Sequence, residues 1–146
     1  MFTPQKSTTV TSSKQNQLLI AVLKGDIAFI ATLLTDEHID PNMTDENGDT
    51  ALIFAASNGY TAATTALLAN EHTEPNIQNK DGNTALIYAA IKGYTAAVTA
   101  LLSDERIDAN IKNIAGHTAL MVAAATGHTE TVKVLLANER TEPNIQ

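Results

Sequence analysis

A step of 34 residues runs through the chain and limits its possible folds more than any other feature. Gly48, Gly82 and Gly116 are spaced by it, and each is followed two residues later by Thr-Ala-Leu. A second glycine set, Gly25, Gly59, Gly93 and Gly127, keeps the same step. So do the leucine pairs Leu33-Leu34, Leu67-Leu68, Leu101-Leu102 and Leu135-Leu136, and the asparagines Asn42, Asn76, Asn110 and Asn144. Self-similarity at a fixed period of this length marks a stacked architecture in which each unit touches only its neighbours.

The stack has to be built from small and aliphatic side chains. Hydrophobic residues make up 44% of the chain, aromatics only 4%, and Trp is absent. Ala, Leu, Ile and Val therefore supply the core, which suits closely packed short helices. The absence of Cys excludes disulfides, thiolate metal sites and a cysteine nucleophile. A net charge of -7 opposes binding to nucleic acid or an anionic membrane, which requires a basic patch. No stretch approaches the roughly 20 apolar residues of a spanning helix. A soluble, cytoplasmic protein is expected.

Residues 1–13 are polar, contain Pro4 and lack apolar periodicity, so they read as a flexible leader ahead of a repeat domain over 14–146. Unit one spans about 14–47. Leu18, Leu19, Ala21 and Val22 recur at helical spacing, and Asn16 is the expected N-cap. Gly25 ends that helix, and a second follows through Ile27, Phe29, Ile30, Leu33 and Leu34. Lys14, Gln15, Gln17 and Lys24 give this unit the polar outer side of a terminal cap.

Units two (48–81) and three (82–115) are regular. Thr50 or Thr84 caps a short helix, Ala55-Ala56 or Ala89-Ala90 lets neighbouring helices approach, and Gly59 or Gly93 turns into a second helix, Thr61 to Ala69 or Thr95 to Ser103. The polar segments between units, such as EHTEPNIQNKDG, suit projecting hairpins. Unit four (116–146) stops at Gln146, equivalent to Gln78, and Leu120, Met121, Ala124 and Val134 give it an internal character. Two readings follow, a weakly capped natural end or an internal unit with further repeats after Gln146, and the second is the favoured expectation.

These residues carry a resemblance. GDTALIFAASNGYTAATTALLAN, GNTALIYAAIKGYTAAVTALLSD and GHTALMVAAATGHTETVKVLLAN resemble the ankyrin repeat, with its G-x-T-P-L-H-x-A-A-x-x-G-H pattern and following leucine pair. Ala51, Ala85 and Ala119 replace the family's Pro, and Ile53, Ile87 and Met121 its His. The period is one residue longer than the family's usual one, the addition falling between the leucine pair and the Asn. The resemblance implies an all-α solenoid of paired antiparallel helices with finger-like loops. It also implies a concave groove, built from the fingers and first helices, that binds a protein partner without catalysis or cofactor.

Positions that differ between otherwise matched units are those the framework does not dictate. Ser57 and Asn58 match Ile91 and Lys92, next to the glycine turn of the first helix, where Phe54 and Tyr88 share the same side. With the finger residues Glu46, Asp49, Lys80, Asn83, Ile114 and His117 they form the candidate partner-binding surface. Phe54 and Tyr88 have a second reading, as fillers between first helices. Asp36, Glu37, Asp40, Asp45, Glu46 and Asp49 form an acidic run, and Glu37, Glu71, Glu105 and Glu139 a ladder with rungs roughly 10 Å apart. Both read as a solvated edge, with a docking site for a basic partner as the alternative; their spacing matches no compact calcium loop. His38 and His72 lie one unit apart, too far to share a metal ion, and His128 is structural. No Ser, His and Asp arrangement is present. An alternative role is a structural or regulatory segment of a longer protein, or self-association through unit four.

Overall fold

The computed structural model describes residue 14 and residues 16–143. The expected leader, Gln15 and the last three residues, Asn144 among them, lie outside this range. Eight helices and no strand occur among the described residues. The first, α1, covers 16–24. It is followed by α2 (Ile27–Leu34), α3 (Ala51–Ser57), α4 (Thr61–Leu68), α5 (Ala85–Lys92), α6 (Thr95–Leu102), α7 (Ala119–Ala125) and α8 (Thr129–Ala137). They form four pairs. First helices stack on first helices, α3 on α5 and α5 on α7, while α2, α4, α6 and α8 stack as a second layer.

The helices are too short to persist alone, so their start and stop signals and their packing carry them. Thr50, Thr84 and Thr118 hold extended backbone, and each hydroxyl accepts the N–H three residues on, from Ile53, Ile87 and Met121. Asn16 does not play this part. Lys14 and Asn16 are both already helical, and the Lys14 ammonium reaches Asp36 at 2.8 Å, drawing the first turn of α1 onto the end of α2. Asp26, unmarked by the repeat pattern, caps α2 by accepting from Phe29 N–H. Gly93 closes α5 in the left-handed region at φ 71°, where a side chain would be strained.

Small residues set the spacing between layers. Ala55, Ala56, Ala89 and Ala90 are fully buried where α3 and α5 cross. Leu67 and Leu101 fill the space between layers, and Leu68 and Leu102 are also buried. In unit four the second leucine, Leu136, is 53% exposed against 7% for Leu102. Ala124 is likewise exposed, and Leu120, Met121 and Val134 are half-buried. Their identity is internal, but no described element covers them.

The long inter-unit segment has the same conformation each time. Asp36, Asn70, Asp104 and Asn138 each accept, through a side-chain oxygen, the N–H of the residue two positions on, an Asx turn that leaves the second helix. The repeated asparagines then bridge units. Asn42 donates to the His72 carbonyl and accepts from Glu74 N–H; Asn76 does the same with Arg106 and Asp108, and Asn110 with Arg140 and Glu142. One side chain thus satisfies a donor and an acceptor of the next unit, which explains its recurrence.

Candidate functional site

Each finger is a tight hairpin turn organised by one short polar side chain. In the finger between units one and two, Gly48 N–H donates to the Asp45 carbonyl and Asp45 N–H to the Asp49 carbonyl, both at 3.0 Å. The Asp45 carboxylate accepts from the N–H groups of Asn47 and Asp49. Asn79 and Asn113 repeat this arrangement. Successive fingers are tied by backbone bonds, Lys80 N–H to the Asn47 carbonyl and Ile114 N–H to Asp81. The approach is close: a Cβ on Gly82 would lie 2.6 Å from Ile114 N, so that glycine is required.

Two expected site residues belong mainly to this scaffold. Asn83 is only 8% exposed, and its side-chain oxygen accepts from Asn113 at 3.0 Å; it is a strut between fingers, not surface. Asp49 is half-buried and accepts from Asn79 at 2.7 Å. Burial pushes the Asp49 carboxyl above its ordinary value; the Asn79 bond opposes this and the charges of Asp45 and Asp81 add to it. The Asn79 amide also donates to the Tyr88 hydroxyl at 2.8 Å, so Tyr88 joins finger to helix. Asn58 turns back onto its own helix, donating to the Phe54 carbonyl, which Ser57 also contacts.

The remaining residues lie on two features. On the first helices, burial singles out one open face: every residue of α3 other than Phe54 and Ser57 is buried, and α5 is open only at Tyr88, Ile91 and Lys92. Phe54, Tyr88 and Ile91 also pack against the core, so filling and display are combined. On the fingers, Glu46, Lys80 and His117 are exposed and Ile114 is 78% exposed. Unit one extends the helix face with Ile20 and Leu23, 47% and 55% exposed. The polar-cap reading of that unit passed over them. Counting 34 residues back from Phe54 and Ser57 was the signal that locates them.

Of the acidic run, Glu37, Asp40, Asp45 and Glu46 are exposed, whereas Asp49 and Asp36 are half-buried, and Asp36 is also paired. Its bond to Lys14, then its bonds to the N–H and ring of His38, hold the carboxyl far below the usual carboxylate range. His128 Nε2 lies 2.9 Å from the Ile91 carbonyl; the carbonyl accepts, which sets the tautomer. No group of three or more His, Asp or Glu side chains among the described residues is placed to hold a metal ion. Nor is any helix of the described residues long and apolar enough to cross a membrane.

Arg106 and Arg140 stand beside Glu105 and Glu139 in the sequence, but their guanidinium groups turn back onto the preceding unit. Arg106 donates to the carbonyls of Leu68 and Thr73 at 2.6 and 2.8 Å, with longer contacts to Asn70 and Glu71, while Asp104 holds its other side. That pairing keeps Asp104 below, and Arg106 above, their ordinary values. Arg140 repeats the pattern on Leu102, Asp104, Glu105 and Ile107. Each positive group closes the carbonyl end of the preceding second helix, where the macrodipole is negative.

Comparison with known proteins agrees with this architecture. No curated protein matches the chain. The family model for ankyrin repeats in three copies matches residues 18–113 and, in a second overlapping register, residues 64–146. With four stacked helix pairs, capping threonines and linked fingers in place over that span, the chain belongs to the ankyrin-repeat family.

Proposed function

We propose that the chain is a non-catalytic module that binds a protein partner across the open face of its first helices and the adjoining fingers. The observation that carries this reading is a set of apolar side chains at matching repeat positions, Ile20 with Phe54 and Tyr88, and Leu23 with Ile91, left open on first helices that bury their other faces. Half-exposed aliphatic and aromatic side chains on rigid helices make low-entropy anchors for a partner. Glu46, Lys80, Lys92, Ile114 and His117 border this set, and Asp49, Ser57 and Asn58 contribute polar edges. Ankyrin repeats generally serve as protein-interaction modules, which supports the assignment. A cytoplasmic setting belongs to the same reading.

The test is affinity capture followed by mass spectrometry, comparing the wild type with an Ile91→Ala, Lys92→Ala, Lys80→Ala variant. The variant should lose the captured partner while keeping its helical content and melting transition. Undiminished capture by the folded variant would remove this surface from the reading. Self-association through unit four is a second reading, supported by the exposure of Leu136. Light scattering across a concentration series should then show a dimer that Leu136→Glu abolishes; a monomer throughout rejects it.

A further inference from the structure

Residues 70–78 read NEHTEPNIQ and residues 138–146 read NERTEPNIQ, so a single position, His72 against Arg140, distinguishes them. That position decides whether a socket in the preceding unit is filled. Arg140 inserts into the carbonyls of Leu102, Asp104, Glu105 and Ile107, and Arg106 into those of Leu68, Asn70, Glu71 and Thr73. One unit earlier the equivalent carbonyls belong to Leu34, Asp36, Glu37 and Ile39. His72 cannot reach them: its ring is largely exposed, with Glu71 at 3.6 Å.

An open groove of about 450 Å³ remains there, lined by Leu34, Thr35, Asp36, Ile39, Asn70 and His72 among others. At the next junction a groove of similar size, about 470 Å³, lies beside Arg106 but is lined from Glu71 to Ile77; the residues corresponding to Leu34 and Asp36, Leu68 and Asn70, there have their carbonyls occupied by the Arg106 guanidinium. Among the described residues, none donates to the carbonyls of Glu37 and Ile39, and Leu34 receives only a 3.3 Å contact from Asn70. The helix end adds negative potential, and the carboxylates of Glu37 and Asp40 stand at the rim. Lys14 and His38 face Asp36, the only carboxylate of the groove that is already paired.

We propose that this groove is a receptor for the guanidinium group of an arginine side chain presented by a partner protein. The chain itself demonstrates the chemistry twice, since the same backbone cradle in units two and three holds a guanidinium supplied in cis. A planar fork with five donors reaches several carbonyls at once, whereas an ammonium presents a single hydrated point charge, so arginine is selected over lysine. The site lies at the end of α2, among the inter-unit loops, and stands independently of the open face of the first helices.

The test is an NMR titration of the isotope-labelled full chain with Nα-acetylarginine N-methylamide, and in parallel with its lysine counterpart. Amide shifts should centre on His38, Ile39 and His72, with the lysine compound weaker by about tenfold or more. His72→Arg fills the cradle from within and should abolish the response. His72→Ala removes the imidazole without filling the cradle and should keep it. Dispersed shifts, equal responses to both compounds, or an unchanged response in folded His72→Arg would overturn the assignment. Should that variant fail to fold, the arginine–lysine difference and its retention in His72→Ala decide the matter.

Discussion

The junction between units one and two and that between units three and four share a backbone plan but differ in how they are closed. At both, an asparagine bridges to the next unit, Asn42 to His72 and Glu74, Asn110 to Arg140 and Glu142. At the later junction Arg140 also seals the end of α6, and the His128 ring sits over Gly93, close enough that a Cβ there would lie 2.4 Å from it. At the earlier one His72 leaves the end of α2 open. Nothing lies within 4 Å of a Cβ on Gly25, and a groove of about 330 Å³ separates that glycine from Tyr60. The repeat thus specifies a common geometry, and single substitutions within it set the strength of each contact. In a stack whose stability sums unit and interface terms, unit one should open first.

The sharpest way to break this contrast is at the glycines. Gly93→Ala combines left-handed strain with displacement of His128 and loss of its bond to Ile91, for a cost of about 3 kcal/mol. Gly25→Ala bears the strain alone, about 1 kcal/mol. Urea midpoints for the two variants should keep that order; equal costs would mean that the His128 contact adds nothing.

Removing a clasp comes next. Arg106→Ala leaves the carbonyl end of α4 without its donors and should destabilise the stack by about 2 kcal/mol. Arg106→Lys should recover little of this, because a point charge cannot span the same carbonyls. Installing a clasp is the converse: His72→Arg should stabilise by about 1 kcal/mol, with slower amide hydrogen exchange confined to unit one. Uniform slowing across all four units would show that the junctions do not differ as described.

The smallest effect is the response to acid. Asp104 has its carboxyl lowered by the Arg106 bond. A group lowered in the folded state contributes stability above its unfolded value, and this is lost as the pH falls through the lowered one. Asp104→Asn should therefore lower the melting temperature at neutral pH and converge with the wild type well below pH 4. Asp36 follows the same sign, but its partners Lys14 and His38 are solvent-accessible, so its share is small and fades with salt.

Much of the stack was legible in the chain. Thr50 and Thr84 cap where expected, Ala55-Ala56 and Ala89-Ala90 mark the helix crossing, and the leucine pairs mark the layer contact, because caps and helix faces depend on neighbours a few residues away. The errors share a different origin. Asn16 occupies a cap register but lies within α1. Asn83, expected at the surface, is buried between fingers. Arg106 and Arg140, unmarked by the local pattern, clasp the preceding unit through contacts 33 to 38 residues away. Ile20 and Leu23 were hidden by the polar residues around them. Identity and local spacing cannot tell a lining side chain from a bridging one when the partner is a whole unit distant.

The 34-residue period, the capping threonines and the small-residue helix seams determined by themselves that this chain stacks as an all-α ankyrin array, since each of those signals acts within a turn or between identical neighbours. Only the tertiary structure decided which variable residues face outward and which tie units together. It also revealed that the substitution at His72 leaves open a socket that arginine closes in the other copies. The physical reason is reach: a guanidinium at the end of a long side chain finds its carbonyls only after two units have packed, and a shorter histidine in the same register cannot.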